Sequence, residues 1–590
     1  MSDAANIDLE KQGRDAATTP SAHSEAREEL YVRQETDSSE DVEKRGLERQ
    51  PSTRFAPQQA PVYRGADGEE VTAKPTRTFS RRAARDASDA ATPFGGDLSI
   101  SRTEMTLERF KSQKGKVMAG EPVVVHWEGD DDPENPQNFS KWYKIYLTLF
   151  GALLVLNSTF TSSCPSGIVP MMINYFQFSE EVATLTISLW VAGYCLGPLI
   201  WGPLSERLGR KPVFVVSVFM YTIWNMGCAL AKNTASILVF RFLGGVFGAA
   251  PLTNSGGIIA DVWDAKARGI ALSFFSIAPF AGPAIGPIVS GAIQVRMASW
   301  RYVYWTCMAF SGVCLLLVIF TVRETYAPTI LTRKAKRIRK ETGQDFYKSP
   351  LELTPLDPKH LLHDTLLFPF VMLFQEPILM AFGLYLSFVY GIIYLLFGAY
   401  PFVFEQVHGF NALQEGLTFI PLFLGGVVGV IFYVAIMNPR YVAKVEQYAR
   451  EGKGRVPPEE RLKIVCIAAP CLVISFFWLG WTSYRSISFW SPMMAGSLLG
   501  FAILLIFLGI FNGIIDIYLA KAASGLAGNT VMRSAFGAGF PLFTSQMFKT
   551  LGIQWACTLL GGLSLLMLPI PFALVKWGPK IRSWSKHAAS

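Results

Sequence analysis

Apolar residues in this chain come in long blocks, not in the short periodic stripes of a soluble domain. Twelve runs approach the length needed to cross a bilayer, which takes about 20 apolar residues per helix. They cover roughly 144–168, 182–202, 212–231, 235–259, 268–294, 301–323, 378–404, 413–436, 463–484, 492–517, 523–546 and 553–577. Six precede a long polar stretch at 324–377 and six follow it. The pattern predicts an all-α membrane protein with twelve transmembrane helices in two six-helix, pseudo-symmetric halves. The implied segments are a 1–125 tail, a pre-helix segment at 126–143, a first half at 144–323, a central loop at 324–377, a second half at 378–577 and a tail at 578–590.

Composition supports this and adds orientation. Half of the residues are hydrophobic, 17% are charged and the mean hydropathy is +0.28. The net charge of +8 does not imply a nucleic-acid partner, because the bases sit between helices. Arg207, Arg210 and Lys211 follow the second run, Lys266 and Arg268 the fourth, Arg333 to Lys340 the sixth, and Arg440 to Arg455 the eighth. No Lys or Arg lies between Val169 and Glu181, or between Glu405 and Ala412. The positive-inside rule then puts both termini in the cytoplasm.

Residues 1–125 are rich in Ala, Ser, Thr and charged residues and show no helical stripe, which predicts disorder. Arg precedes Ser by three positions at Arg49/Ser52, Arg77/Ser80 and Arg85/Ser88. Basophilic kinases favour that spacing, and chance in a Ser/Arg-rich tail also produces it. No apolar core of a signal peptide opens the chain; the first membrane helix would act as insertion signal. The basic 333–343 stretch reads either as an amphipathic helix on acidic lipid or as a solvated linker. The eight cysteines all fall in apolar runs and suit small-residue packing. No phosphate-cradling loop and no nucleophile arrangement appears among the residues, so neither bound ATP nor enzymatic catalysis is expected, and no cofactor is implied.

Several local patterns are more specific. The second and third runs are joined by Gly202-Pro203-Leu204-Ser205-Glu206-Arg207-Leu208-Gly209-Arg210-Lys211-Pro212. Gly202 and Gly209 permit a tight turn, and Glu206 can pair with a base or a helix N-terminus. The stretch resembles the G-x-L-[AS]-[DE]-R-x-G-R-[KR] loop of major facilitator transporters. Arg241 stands alone in the apolar fourth run, where an unpaired cation costs several kcal/mol (~3). It either serves a function or snorkels to the outer surface. Its surroundings, with Gly244, Gly245 and Gly248, resemble the family's R-x-x-x-G-x-x-x-[AG] motif, whose arginine is implicated in proton handling. The fifth run contains Pro279, Gly282, Pro283, Gly286, Pro287 and Gly291, which predicts a kinked helix with a bare face. It resembles the antiporter motif G-x-x-x-G-P-x-x-G-[GP], with Ala278 at the first glycine position.

Residues 126–143, with their Asp132-Pro133-Glu134-Asn135-Pro136 core, resemble the segment before the first helix of fungal twelve-helix drug:proton antiporters. Trp127, Phe139, Trp142 and Tyr143 suit the membrane interface. Tyr385, Tyr390 and Tyr394 on the seventh run, Pro457 to Leu462, and Asp516-Ile517-Tyr518 follow the same subfamily's patterns, although many relatives carry an acid where this chain has Gly398. Tyr390 and Tyr394 share a helix face. These tyrosines either line a cavity for a bulky, partly apolar ligand or pack helices together. Asn157, Asn254, Asn512 and Asn529 either line that cavity or bond between helices. Asp516 is either interfacial or a proton relay.

The resemblance covers about 126–580 and implies a proton-coupled exporter working by alternating access at the plasma membrane. Its partners would be a small organic substrate, protons and lipid. Glu206, Arg207, Arg210, Arg241 and Asp516 would take part in coupling and gating, and Gly282, Pro283 and Gly286 would form the antiporter motif. Secondary metabolites, glycolipids or xenobiotics are the favoured cargo; a polyamine exporter and a non-transporting sensor with the same fold are the alternatives.

Overall fold

Chain continuity and hydropathy dictate what the computed structural model shows: apolar runs become helices that satisfy their own backbone, as lipid demands. It describes residues 122–353 and 367–587 apart from Asp130, Ala298 and Gly454, so the Arg–x–x–Ser sites and the expected disorder of the tail lie outside the described residues. Among the described residues, eleven helical stretches are long and apolar enough to cross a membrane. They are Lys141–Phe176, Glu180–Leu208, Arg210–Leu230, Thr234–Val262, Ala267–Arg296, Arg301–Thr321, Pro377–Val407, Ala412–Glu451, Glu459–Trp481, Trp490–Tyr518 and Ala522–Arg582, counted below as spans one to eleven. The last is 61 residues long. At about 1.5 Å per residue it is roughly three bilayer cores in length. Gly552, at φ 76° and ψ 166°, breaks it, so 522–551 is span eleven and 553–582 is span twelve.

The helices overrun the apolar runs at their polar ends. Span two continues through Ser205-Glu206-Arg207 to Leu208, and span three starts at Arg210, so the expected loop at 202–212 is the single residue Gly209. Span eight likewise extends through a polar helix, Asn438–Glu451, where a loop was expected. Span one is interrupted by a 3-10 turn at Cys164–Ile168, where Pro165 lacks an N–H. Span five breaks between Phe275 and Ala278, ahead of its prolines, while Pro283 and Pro287 sit inside the helix Ala278–Arg296.

The segments outside the spans fold onto one end of the bundle, called here the terminal face. Strand β1, Val123–Val124, pairs in parallel with β2, Tyr347–Lys348. Between spans six and seven, Ala327–Thr342 forms an amphipathic helix started by Pro328 and stopped by Gly343 in the left-handed region. Its Pro328, Leu331, Lys334 and Ala335 are buried on one face. Lys334 Nζ lies 2.9 Å from both Asp132 and Glu128, and Arg337 lies 2.9 Å from Glu134. The expected amphipathic helix is present, and two of its bases, Lys334 and Arg337, meet carboxylates of the 126–143 segment, forming a clasp between chain before span one and chain after span six. On the same face, the buried Glu376 accepts the backbone N–H groups of Lys586 and His587 at 3.0 and 3.1 Å and bonds the hydroxyls of Ser585 and Tyr518.

Candidate functional site

Three polar centres stand out among the described residues of the bundle. The first surrounds Gly209. Its φ of 97° and ψ of 164° belong to a region that is essentially glycine-only. That geometry presents the N–H groups of Arg210 and Lys211 to the Glu324 carboxylate at 2.8 and 3.3 Å. The Arg210 side chain, buried, lies 3.3 Å from Asp261 and 2.5 Å from the Ser205 hydroxyl, with its guanidinium 4.9 Å over the Tyr326 ring. Ser205 in turn bonds Asn254 at 2.8 Å, and Asn254 donates to the Trp201 carbonyl at 3.2 Å. Burial raises the Tyr326 hydroxyl to about 12, with Glu206 adding to the effect. Asn254 therefore belongs to this knot and not to a central cavity. Glu206 is exposed and has no ion-pair partner among the described residues. Gly202 sits in mid-helix, and a Cβ there would meet only Thr253 at an ordinary 3.7 Å.

The second half repeats the arrangement. Arg461 lies 3.0 Å from Asp516, donates to the Tyr433 hydroxyl at 3.0 Å and stacks 3.5 Å over Tyr441. Tyr441 donates to the same Asp516 oxygen at 3.1 Å, and Asn512 reaches Tyr433 at 3.4 Å. A base at the start of spans three and nine, an acid at the end of spans four and ten and a stacked tyrosine recur as a pseudo-twofold fold requires. Asp516 and Asn512 thus sit in a terminal-face knot, away from the centre of the bundle.

The third centre holds Arg241, which is fully buried. Its guanidinium donates to three carbonyls, Thr186 at 2.5 Å, Thr161 at 2.9 Å and Ser162 at 3.1 Å, and lies 4.4 Å over Trp190. The snorkelling alternative is therefore excluded. Gly244, Gly245 and Gly248 explain their place in the motif: a Cβ at any of them would run into Trp190. The bare stripe admits the indole that carries the cation. Trp190 donates to the Tyr194 hydroxyl at 2.9 Å, and Tyr194 bonds Ser158 at 2.9 Å.

From here a hydrogen-bonded path crosses between the halves. Ser162, whose carbonyl Arg241 holds, bonds the Tyr394 hydroxyl at 3.1 Å, and Tyr394 lies 3.5 Å from the Tyr390 hydroxyl. Arg533 of span eleven lies 4.8 Å over the Tyr390 ring. Tyr385, one residue off that face, is buried elsewhere in the second half, with no partner for its hydroxyl. Asn157 and Asn529 are buried with both amide atoms unpartnered, and Asn529 lies against Gly383 of span seven. Among the described residues, no group of three His, Cys, Asp or Glu could hold a metal ion.

Span five closes the opposite face. A Cβ on Gly282 would lie 2.5 Å from the Phe160 backbone nitrogen, and one on Gly286 would overlap Ser163, so both glycines seat span five directly on span one. Farther along, Gly291 abuts Ala412, and Gly416 of span eight abuts Pro287 at 2.6 Å from its would-be Cβ. Lys549 and Glu180 bridge spans eleven and two at 2.5 Å. Sequence reasoning missed Trp190, Tyr194, Ser158 and Ser162, and also Asp261, Glu324 and Arg461. For the last three the available signal was a charge at a span end, and such charges are common in loops.

The major facilitator superfamily model matches residues 151–540. The chain belongs to that superfamily. It is a membrane transporter and not an enzyme. It is 42% identical over 480 residues to a major facilitator multidrug transporter of Aspergillus fumigatus, covering 81% of this chain and 77% of that one. Identity is 39% to a citrinin biosynthesis cluster transporter of Monascus ruber (83% and 97% covered) and 39% to an ascochitine biosynthesis cluster transporter of Didymella fabae (79% and 89%). The proton:xylose symporter XylE shares the fold at a TM-score of 0.53 and 17% identity, over 74% of this chain and 96% of that one.

Proposed function

We propose that this transporter exports small organic molecules, such as secondary metabolites, glycolipids or xenobiotics, in exchange for protons. The observation that carries the proposal is the asymmetry of closure. The halves meet at Gly291/Ala412, Gly416/Pro287 and Glu180–Lys549 on one face, while Glu206 on the terminal face stands exposed without an ion-pair partner. With both termini in the cytoplasm of a plasma-membrane protein, the joined face is the outer one and Glu206 stands on the cytoplasmic side. Closing the terminal face engages Glu206 and opens the other side. The Arg241–Ser162–Tyr394 path links the first half to the second, so Arg241 positions the junction across which substrate binding in one half is felt in the other. Each pH unit across the membrane supplies about 1.4 kcal/mol per proton. The names of the fungal relatives support efflux over uptake.

The test is an untargeted comparison of extracellular small molecules from cells with and without the gene, with and without a protonophore. A compound lost from the medium on deletion, and retained in cells under protonophore, identifies cargo and antiport. Arg241→Ala should abolish that export at unchanged surface abundance, measured by surface biotinylation. Wild-type export by the variant refutes the role given to Arg241. Export that ignores the protonophore refutes proton coupling. Unchanged metabolites with a retained signalling phenotype would replace the exporter by a sensor.

A further inference from the structure

The central junction contains one cation whose protein partners are incomplete. Arg533 lies eleven residues into span eleven, about 16 Å from its terminal-face end and so near mid-membrane. Its Nε is buried and has no hydrogen-bond partner, and no carboxylate lies within ion-pair distance of it among the described residues. The contrast with the other intramembrane bases is direct. Arg210 and Arg461 hold Asp261 and Asp516, and Arg241 has three carbonyls. Arg533 has rings instead: its guanidinium lies 4.8 Å over Tyr390, 5.7 Å over Phe511 and 5.8 Å over Phe507. Rings offset part of the charge's desolvation but offer no strong acceptor to its N–H groups.

The site also lies where cargo must pass. A Cβ on Gly537, one turn from Arg533, would touch both the Tyr390 ring and Val191 of span two. Tyr390 therefore faces the seam between halves, with Tyr394 and Ser162 beside it. Phe280 of span five reaches the same Phe507 ring from the first half, at 5.4 Å between centroids.

We infer that Arg533 anchors the carboxylate of an organic anion with an aromatic or conjugated body, while Tyr390, Phe507 and Phe511 take up that body. A carboxylate matches the planar guanidinium fork in two parallel hydrogen bonds and supplies the acceptors that the rings lack. The same cation repels a polyamine. As cargo recognition, this rests on the exporter reading; as a binding site, it does not.

The experiment uses the purified full-length chain in lipid nanodiscs and isothermal titration with three probes of one shape at neutral pH: 1-naphthoate, neutral 1-naphthamide and cationic 1-naphthylmethylammonium. A charge-assisted pair at the half-buried Arg533 corresponds to about tenfold to a hundredfold in affinity. The wild type should bind naphthoate at least about tenfold more tightly than the amide, and the ammonium least. Arg533→Gln should bring naphthoate down to the amide's level, while Arg533→Lys keeps most of the preference. Equal binding of all three probes by the wild type, no binding of naphthoate, or wild-type naphthoate affinity in a monodisperse Arg533→Gln overturns the inference. If Arg533→Gln does not yield monodisperse protein, the wild-type ranking and Arg533→Lys decide. Export of naphthoate and of the cationic dye rhodamine 6G from the same cells separates the two claims. Dye export without Arg533-dependent naphthoate binding keeps the exporter and removes the anion site. Arg533-dependent binding with neither compound exported keeps the site and counts against the exporter.

Discussion

Replacing Gly209 by Ala should disable the knot that joins spans two and three, and the structure sets the scale. At φ 97° and ψ 164° a Cβ costs about 1–3 kcal/mol in backbone strain alone. The new methyl would also overlap the Glu324 carboxylate. Moving that carboxylate forfeits its hydrogen bonds from the Arg210 and Lys211 N–H groups, 2.8 and 3.3 Å long. Bonds to a charged acceptor contribute about 1.5–3 kcal/mol each, the longer one less. The sum is about 3–7 kcal/mol, concentrated at one turn. Gly202 is the control, since it is the other glycine of the same motif. Its Cβ would make an ordinary 3.7 Å contact inside a helix, so Gly202→Ala should be neutral or stabilising by up to about 1 kcal/mol. The assay is thermal unfolding of purified protein, followed by loss of the monodisperse gel-filtration peak, together with export from cells. Gly209→Ala should melt well below wild type and export poorly, with Gly202→Ala at wild-type level in both. Wild-type behaviour of Gly209→Ala, or equal damage from both, refutes the assignment of the strain and the carboxylate contact to residue 209.

The geometry sets three further outcomes. Gly282→Val should destabilise the seat of span five on span one by about 1–3 kcal/mol or more, because its Cβ falls 2.5 Å from the Phe160 backbone; a wild-type melting temperature in that variant would contradict the packing. In the clasp, Lys334→Met takes the ammonium from the buried Asp132, which keeps its two backbone N–H donors, and should cost about 1.5–3 kcal/mol locally, seen as faster hydrogen exchange in the Ala327–Thr342 helix. The clasp should also be acid-sensitive. Burial pushes the Asp132 carboxyl up, but hydrogen bonds from the Glu128 and Glu134 N–H groups and the Lys334 ammonium outweigh it, and the net shift is downward. A folded value below the unfolded one, about 3.9, gives stability that is fully present above about pH 4 and is lost as pH falls through the lower folded value. Exchange in that helix should be flat from about pH 7 to about pH 5, after correction for intrinsic rates, and rise below about pH 4. A rise near pH 6 would point to a different group.

The architecture was legible because lipid allows few solutions and long apolar runs are hard to misread. Boundaries were less so. Polar end turns such as Ser205-Glu206-Arg207-Leu208 still propagate a helix, so counting apolar residues placed a loop where only Gly209 turns. Arg241 stood out as one charge in an apolar run. Its partners did not, because they are backbone carbonyls, which every residue carries. Tyr390 and Tyr394 share a face, whereas Tyr385 is rotated about 140° from Tyr390 at roughly 100° per residue. That arithmetic already separates it from the pair. Polarity in an apolar helix leaves Asn254 and Asn512 either lining a cavity or bonding between helices; their depth, near the terminal-face ends, decides for the second, with Ser205 and Tyr433 in reach. The clasp was invisible for another reason. Its acids and bases lie about 200 residues apart, and each half alone suits a surface.

That separation has a consequence for how the molecule is made. The Lys334–Asp132 contact and the β1–β2 pairing join positions 202 and 224 residues apart. At about 5–20 residues per second of synthesis, Val123 and Asp132 wait for some 10 to 45 seconds, roughly, before their partners leave the ribosome. Throughout that interval, six helices enter the bilayer with the acidic segment unclaimed. The clasp can therefore close only after all six helices of the first half have been synthesised.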